Sequence, residues 1–346
     1  MSYSSISYQM SQGNTNVVKC IAILMMLCHH LFLDDTKFCV ELCAVASFSK
    51  VCVAVFIFLS GYGMGSRWPE KNYRKKARYI LRRFSKFYLN YWMVFLWVVP
   101  LGVLVFGRSL ENAYGNQSNI LLKVLLDFLG LNGFESYNTT WWFNKVILCL
   151  WLLFPAIHLF CKNIFVASLF LLLLIINPGD ILWPLHFFAD LLGYYLLPYT
   201  LGVCVATNKR KIDWGLGKLS HSTIVGVSFI STLVLLFARD AYFDQGLTHA
   251  MSIIDSFASV SIALFVTAVS KKIQYDFHPL QFVGMHSMNI YLLHTFVFSY
   301  FFHDFVYLFD NPLVIYIIVL LISLTVSVSL EFLKHHIGFY KLINRL

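Results

Sequence analysis

The sequence predicts an all-α integral membrane protein, a bundle of about ten transmembrane helices with both termini in the cytoplasm. Composition, the length of the apolar runs and the placement of charge predict it. Of the 346 residues, 59% are hydrophobic and 12% are charged, against about 25% charged in a soluble domain. A bilayer solvates so many apolar side chains, whereas a soluble core of this size could not bury them. Residues 1–346 are therefore interpreted as one transmembrane domain, since no long polar stretch interrupts them.

Ten apolar runs approach or reach the length of about 17–25 residues that a membrane helix needs. In chain order they are Val17–Leu33, Val45–Met64, Phe84–Phe106, Trp141–Phe160, Ile164–Ile176, Trp183–Ala206, Thr223–Phe237, Ala250–Ser270, Leu280–Phe302 and Pro312–Leu333. The fifth and the seventh are short. A further apolar stretch, Ile120–Leu131, contains Asp127 and predicts an interfacial or re-entrant helix in a long connection.

The basic residues divide unevenly between the two sets of loops that ten spans create. Most of the 26 Lys and Arg residues fall on the side of the termini, above all between Arg67 and Lys86 and at Lys209–Lys211. Loops rich in Lys and Arg face the cytoplasm. The net charge of +9 is thus a topology signal, and nucleic acid is not expected as a partner. The polar tail 1–16 and the tail 334–346 are expected in the cytoplasm.

The N-terminal residues and the cysteines do not indicate a different class of protein. The first 16 residues lack the basic stretch of a signal peptide, so the first apolar run is expected to remain as a helix. The eight cysteines form no C-x-x-C pair and are interpreted as packing residues. No metal site is expected.

The first run carries two ionisable residues, Lys19 and His30, eleven positions apart. At 100° per residue they lie within about 20° of one helix face, and about 16 Å apart along the axis. An ionisable side chain in a membrane helix is a functional hypothesis by default, although Lys19 alone could reach the headgroups and a lone His could be core packing. His29 points about 100° away and predicts a supporting or packing role.

The second run ends in Ser60 and Gly61 and leads into the densest basic loop, which contains Arg82 and Arg83. Small residues near a helix end permit close helix packing or anion binding. The basic loop fits either anionic lipid or the phosphates of a nucleotide-bearing ligand, for which the planar guanidinium is suited.

Taken in order, six short patterns resemble those of the acyltransferase family 3 membrane proteins. They are Lys19-x10-His30, Phe-x-Phe-x-Ser-Gly at 56–61, Arg82-Arg83, Trp142-Phe143 with Pro155, Tyr199-Thr-Leu-Gly202, and the run from Gly284 to His294 that includes His286, Ser287, Asn289 and Tyr291. The resemblance covers nearly the whole chain. It departs at Lys19, where the family usually has Arg.

The resemblance implies transfer of an acyl group, usually acetyl, from cytoplasmic acyl-CoA to a hydroxyl of a cell-surface or lipid-linked carbohydrate at the bacterial inner membrane. His30 is expected as the general base, with Asp190, Asp255 and His294 as further catalytic candidates. The candidates for holding acetyl-CoA are Lys19, Ser60, Gly61, Arg82, Arg83, His286 and Ser287. Trp142 and Tyr291 are expected at the acceptor, although an interfacial aromatic belt explains Trp142 nearly as well.

Two other classes fit the same residues. A transporter or flippase for a polysaccharide or lipid-linked sugar would also place His, Asp and Arg within the membrane, although no internal repeat is seen. A structural subunit of a glycan-assembly complex would predict neither CoA binding nor a need for His30. The oligomeric state stays open.

Overall fold

The computed structural model describes residues 7–33, 38–69, 72–115, 119–176, 191–243, 248–273 and 277–345. Within these ranges the chain is helical and contains no strand. The all-α fold class predicted from the composition is thereby confirmed.

Within the described residues, seven helical segments are long and apolar enough to cross a bilayer. They are Gln12–Phe32, Val40–Arg67, Tyr73–Leu104, Thr139–Cys161, His221–Ala241, His249–Lys271 and Pro312–His336. Two shorter apolar helices, Ile164–Ile176 and Leu192–Thr207, lie between them. The protein is therefore an integral, multi-pass membrane protein.

Shorter helices connect these segments. They are Leu110–Tyr114, Ile120–Phe128, Lys209–Leu216, His278–Met285, Ser287–Thr295, His303–Val306 and Phe339–Arg345, with 3₁₀ turns at Gly133–Glu135 and Thr139–Trp141. The helix predicted in the long connection is present at Ile120–Phe128. The predicted tail 334–346 is largely helical.

Several predicted runs differ from the observed helices. The run predicted over Val45–Met64 is divided between two helices, Val40–Ser49 and Cys52–Arg67. The run predicted over Leu280–Phe302 is divided at His286 and ends in a π-helical turn, Phe296–Phe301. The run predicted to stop at Phe237 continues as the helix His221–Phe243 through Arg239, because that charge is buried beside a carboxylate. The sixth predicted run begins at 183–190, outside the described residues.

The chain forms two compact units. The first comprises Met1–Arg67 with Leu152–Met285, and the second comprises Trp68–Trp151 with His286–Leu346. Each unit therefore combines an early and a late part of the sequence.

The first unit is built on a close crossing of two helices, Cys52–Arg67 and Leu192–Thr207. A Cβ atom at Gly61 would collide with the backbone carbonyl oxygen of Tyr199, and one at Gly202 would collide with that of Phe58. Small residues allow this approach, which van der Waals contacts stabilise in a membrane. Two of the short sequence patterns thus meet at one helix crossing.

In the second unit, the connection between Leu104 and Trp142 is held by the buried carboxylate of Asp127. Oδ2 accepts hydrogen bonds from the hydroxyl of Tyr114 at 2.7 Å and from the backbone N–H of Tyr137 at 2.6 Å. Oδ1 lies 3.2 Å from the hydroxyl of Tyr91. Burial raises the pKa of Asp127 although these donors oppose the shift. This cluster fixes the turn that leads into Thr139–Trp141.

Candidate active site

The face of the first helix that carries Lys19 and His30 is turned into the first unit. The positions between them on that face, Ala22, Ile23 and Met26, are buried. Lys19 and His30 themselves are half-buried. The imidazole of His30 therefore lies at the end of a stripe that packs against protein.

His29 supports the helix end beside it. Its Nδ1 lies 2.9 Å from the carbonyl oxygen of Ala46, and because a carbonyl only accepts, Nδ1 is the donor. The His29 ring also packs edge-on against His30, with 5.1 Å between the ring centroids. This contact agrees with the supporting role predicted for His29.

The carboxylate of Asp255 is already shared between two other side chains of the first unit. Nε of Arg239 donates to Oδ1 at 2.7 Å, and the hydroxyl of Tyr194 donates to Oδ2 at 2.7 Å. Arg239 and Asp255 have side chains that are 1% and 3% exposed. A direct catalytic role of Asp255 stays a prediction, and the other carboxylate candidate, Asp190, lies outside the described residues.

The two donor-site candidates of the second helix differ in their surroundings. Ser60 is half-buried, whereas Gly61 lies at the helix crossing with Tyr199. Close packing accounts for the glycine at 61. A role of either residue in holding a cofactor stays a prediction.

In the second unit, the two arginines of the basic loop take different positions. Arg82 is exposed and Arg83 is half-buried. The guanidinium of Arg83 lies 4.6 Å from the centre of the Trp151 ring, a geometry that attracts a cation to the ring face. Arg83 is thus held against the helix, whereas the side chain of Arg82 is exposed.

Also in the second unit, His286 and Ser287 stand at the break in the predicted ninth run, and both are buried. Nδ1 of His286 lies 2.8 Å from the hydroxyl of Ser327, which also accepts a hydrogen bond from Asn289 at 3.0 Å. Asn289 in turn donates to Glu331 at 2.8 Å. A chain of polar groups therefore runs from His286 along the Pro312–His336 helix.

That chain ends at a buried cation. Nζ of Lys334, which is 1% exposed, lies 2.5 Å from Glu331 and 3.2 Å from the amide oxygen of Asn289, and it also contacts Asn90. Lys334 thus links three helices of the second unit.

The acceptor candidates of the second unit also lie close together. The hydroxyl of Tyr291 donates to the backbone carbonyl of Thr140 at 2.9 Å. Phe143 packs edge-on against Tyr291, with 5.5 Å between ring centroids. Trp142 stacks on the exposed ring of Phe134 at 5.4 Å, which leaves an aromatic pair at the surface.

His294 is fully buried within its own helix turn. Its Nδ1 lies 2.8 Å from the carbonyl oxygen of Tyr291, and Nε2 lies 3.4 Å from the hydroxyl of Thr295. The carbonyl makes Nδ1 the donor, so a neutral ring keeps its lone pair on Nε2. These contacts describe a hydrogen-bonded core histidine, and its catalytic role stays a prediction.

Among the residues of these networks that sequence reasoning missed are Arg239, Ser327 and Lys334. Ser323, Ser327, Glu331 and Lys334 recur every three or four positions in a largely apolar helix, which is the signature of one polar face. Arg239 gave a weaker signal, because a charge at the end of an apolar run is equally typical of a loop.

Metal ligands are not grouped in the part of the chain that the structure describes. Those ranges contain no cluster of three or more His, Cys, Asp or Glu side chains that could hold an ion. The sulfur atoms of Cys161 and Cys204 lie 2.8 Å apart in the first unit.

A family model described as an acyltransferase domain matches residues 13–332. The chain belongs to this family, acyltransferase family 3. No curated protein and no solved structure matches the chain.

The matched range includes every candidate residue named above, from Lys19 to His294, and the polar stripe as far as Glu331. Lys334 lies just beyond it. The acyltransferase therefore carries its candidate catalytic and donor residues within the family domain, distributed over the two units.

Proposed function

We propose that this acyltransferase transfers an acyl group, in the first instance acetyl, from cytoplasmic acetyl-CoA or another acyl-CoA to a hydroxyl of a cell-surface or lipid-linked carbohydrate. His30 is the general base. The observation that carries the proposal is the inward-facing stripe Lys19–His30, in which the positions between the two ionisable residues are buried. Ionisable residues are costly on a helix surface that faces only lipid, so a stripe of this kind is expected to face protein and to serve function.

The chemistry follows from a neutral imidazole beside an alcohol and a thioester. A ring nitrogen of His30 takes the proton of the acceptor hydroxyl as its oxygen attacks the thioester carbonyl carbon. The carbon–sulfur bond breaks, and the CoA thiolate leaves and receives a proton. The products are the ester and free CoA, so the step balances without an oxidant or a reductant.

The donor is recognised by charge. CoA is polyanionic, and Lys19, Arg82 and Arg83 are the cations assigned to it. The exposed Arg82 and the ring-held Arg83 offer planar guanidinium groups for phosphate oxygens. Ser60, Gly61, His286 and Ser287 are assigned to the same donor as hydrogen-bonding and backbone contacts.

The proposed topology assigns a side of the membrane to each substrate. In this arrangement, ten spans place both termini and the basic loops in the cytoplasm of a bacterium, with the protein in the inner membrane. The carbohydrate then arrives from the opposite side, where Trp142 and Tyr291 contact it. A surface aromatic pair such as Phe134 with Trp142 can stack on a sugar ring.

The direct test measures acyl transfer in membranes that contain the protein. Labelled acetyl-CoA should label an endogenous glycan, and His30→Ala should abolish the labelling at equal protein level. His335→Ala is the matched control, since His335 lies exposed near the end of the Pro312–His336 helix. Loss of glycan export with intact acyl transfer in His30→Ala would overturn the proposal in favour of a transporter.

The donor assignment has its own test. Arg82→Ala and Arg83→Ala should each raise KM for acetyl-CoA, because a lost charge-assisted hydrogen bond costs about 1.5–3 kcal/mol, roughly a tenfold change or more. Lys75→Ala, in the same exposed helix start, is the control and should leave KM unchanged. Equal KM values in all three variants would assign the arginines to lipid contact.

A further inference from the structure

A buried ion pair of the first unit lies one hydrogen bond away from the helix end that supports His29. The pair is Arg239 with Asp255, joined at 2.7 Å. The helix His221–Phe243 is otherwise exposed or half-buried along its length, and of its described side chains only Ile224, Ser228 and Arg239 are buried. A nearly inaccessible arginine on an exposed apolar helix needs a physical reason, since burying a charge is costly unless it is paired.

The second contact of Arg239 supplies that reason. Its Nη1 donates to the backbone carbonyl oxygen of Ser47 at 2.8 Å. The helix Val40–Ser49 ends close by, where carbonyls lack the N–H of a following helical turn, and the Ser47 carbonyl also accepts a long bond of 3.3 Å from the backbone N–H of Lys50. A cation at a helix C-terminus is also favoured by the helix dipole. Arg239 therefore caps the end of this helix.

The neighbouring carbonyl of the same helix end binds His29. Ala46 accepts from Nδ1 of His29 at 2.9 Å, and Ser47 accepts from Arg239. Two consecutive carbonyls thus connect the ion pair to the histidine beside His30. The path runs from Asp255 through Arg239, the end of the Val40–Ser49 helix and His29 to the ring of His30, 5.1 Å from that of His29 between centroids.

We infer that Arg239 is a positioning residue, which holds the end of the Val40–Ser49 helix so that His29 keeps the imidazole of His30 in its working orientation. This rests on the proposed function of His30. Asp255 acts through Arg239 by fixing the guanidinium. Both contacts of Arg239 are needed at once, and only a forked side chain makes them simultaneously.

The decisive variant is Arg239→Lys, which keeps the charge beside Asp255 but cannot also reach the Ser47 carbonyl in the same geometry. It should lower kcat roughly tenfold or more, because small misplacements of a catalytic group are costly, while KM for acetyl-CoA stays within about twofold. Ser252→Ala is the control. The Ser252 hydroxyl belongs to the same buried cluster and donates to the Tyr194 carbonyl at 2.6 Å, a bond that includes neither Asp255 nor Ser47. This control should keep its kcat.

A second variant tests the path itself. His29→Phe keeps a flat ring and removes the bond to Ala46. If both changes break one path, the double variant Arg239→Lys/His29→Phe should lose little more kcat than the worse single variant. Independent, additive losses would overturn the inference. The inference would also be overturned if kcat fell in both Arg239→Lys and Ser252→Ala, each in proportion to its loss of thermal stability. That result would assign the cluster a structural role alone.

A readout that needs no acyl transfer separates the two hypotheses. Diethylpyrocarbonate modifies accessible histidines, and peptide mass spectrometry resolves its rate at His29 and His30. Arg239→Lys should raise this rate severalfold over the wild type, whereas Ser252→Ala should not. If Arg239→Lys changes the modification rate but the wild type shows no acyl transfer in any membrane, the proposed function is overturned. The role of Arg239 in positioning the two histidines then still holds. If Arg239→Lys leaves the modification rate unchanged while the wild type transfers acyl groups normally, only the positioning role of Arg239 is overturned.

Discussion

The hydroxyl oxygen of Ser327 lies 2.8 Å from Nδ1 of His286. The same oxygen accepts from the amide of Asn289, so its own hydrogen is free to point to the imidazole. A neutral ring that accepts at Nδ1 carries its proton on Nε2. In the tautomer that accepts from Ser327, His286 is a donor through Nε2, which suits a contact to an oxygen of an anionic ligand.

Ser327→Ala should therefore weaken donor binding if His286 holds acyl-CoA. A hydrogen bond contributes about 0.5–1.5 kcal/mol net, so KM for acetyl-CoA should rise by roughly twofold to tenfold with little change in kcat. Initial-rate kinetics in membranes measures this.

Ser323→Ala is a closely matched control for that change. Ser323 lies one turn earlier on the same helix, is equally buried, and its hydroxyl has no hydrogen-bond partner among the described residues. It should leave KM unchanged. Identical KM values for both variants would show that His286 does not need this partner or does not hold the donor.

The positions of the membrane helices were predictable from the sequence because a bilayer demands a minimum apolar length. The same rule predicted the helix through Arg239 too short, because a charged residue ends an apolar run. The partner that neutralises Arg239 is Asp255, which lies 16 residues away on another helix. The helix repeat was enough to place Lys19 and His30 on one face. It could not reveal that Asp255 binds Arg239, since that choice depends on how helices pack.

The break at His286 illustrates the same limit. An apolar run from Leu280 to Phe302 is long enough for one helix, and composition alone gives no reason to divide it. The structure divides it where His286 bonds to Ser327, a residue of a distant segment. The partner of His286 at this break is therefore a side chain far away in sequence, which a local sequence pattern does not reveal.

Lys334→Met should destabilise the second unit. Removing one partner of a fully buried pair costs about 3–5 kcal/mol, and the cost here is expected below that range because Glu331 is 32% exposed. Thermal unfolding in detergent should show a lower Tm. The double variant Lys334→Met/Glu331→Gln should recover part of the loss, since it removes the unpaired carboxylate.

Lys341→Met serves as the control for that experiment. Lys341 is exposed on the helix Phe339–Arg345 and should leave Tm unchanged. A Lys334→Met protein as stable as the wild type would contradict the role of this cation as a link between helices.

Asp127 predicts a pH dependence of stability in the connection that contains it. Burial raises its folded pKa above the unfolded value of about 4. For such a group the stabilising contribution is complete below the unfolded pKa and is lost as the pH rises through the folded pKa. Stability of the segment 120–141 should therefore fall as the pH rises from about 4, and then level off.

Asp127→Asn isolates this contribution, since an amide does not titrate and still accepts a hydrogen bond. Hydrogen exchange of the segment 120–141 at several pH values should show a slope in the wild type that is smaller in the variant, after correction for intrinsic exchange. Equal slopes in the two proteins would assign the pH dependence to another group.

Gly61→Ala tests whether the glycine of the second helix serves packing. The added Cβ would collide with the carbonyl oxygen of Tyr199, which belongs to the backbone and cannot rotate away, so the two helices must separate. Tm should fall by several degrees. Gly63→Ala, two residues further on the same helix, meets no described atom within 4 Å and should be neutral or stabilising, because Ala replaces Gly favourably within a helix by about 0.5–1 kcal/mol. If Gly61→Ala kept its Tm and instead raised KM for acetyl-CoA, the glycine would serve the donor rather than the crossing, because loss of packing must lower stability before it changes binding.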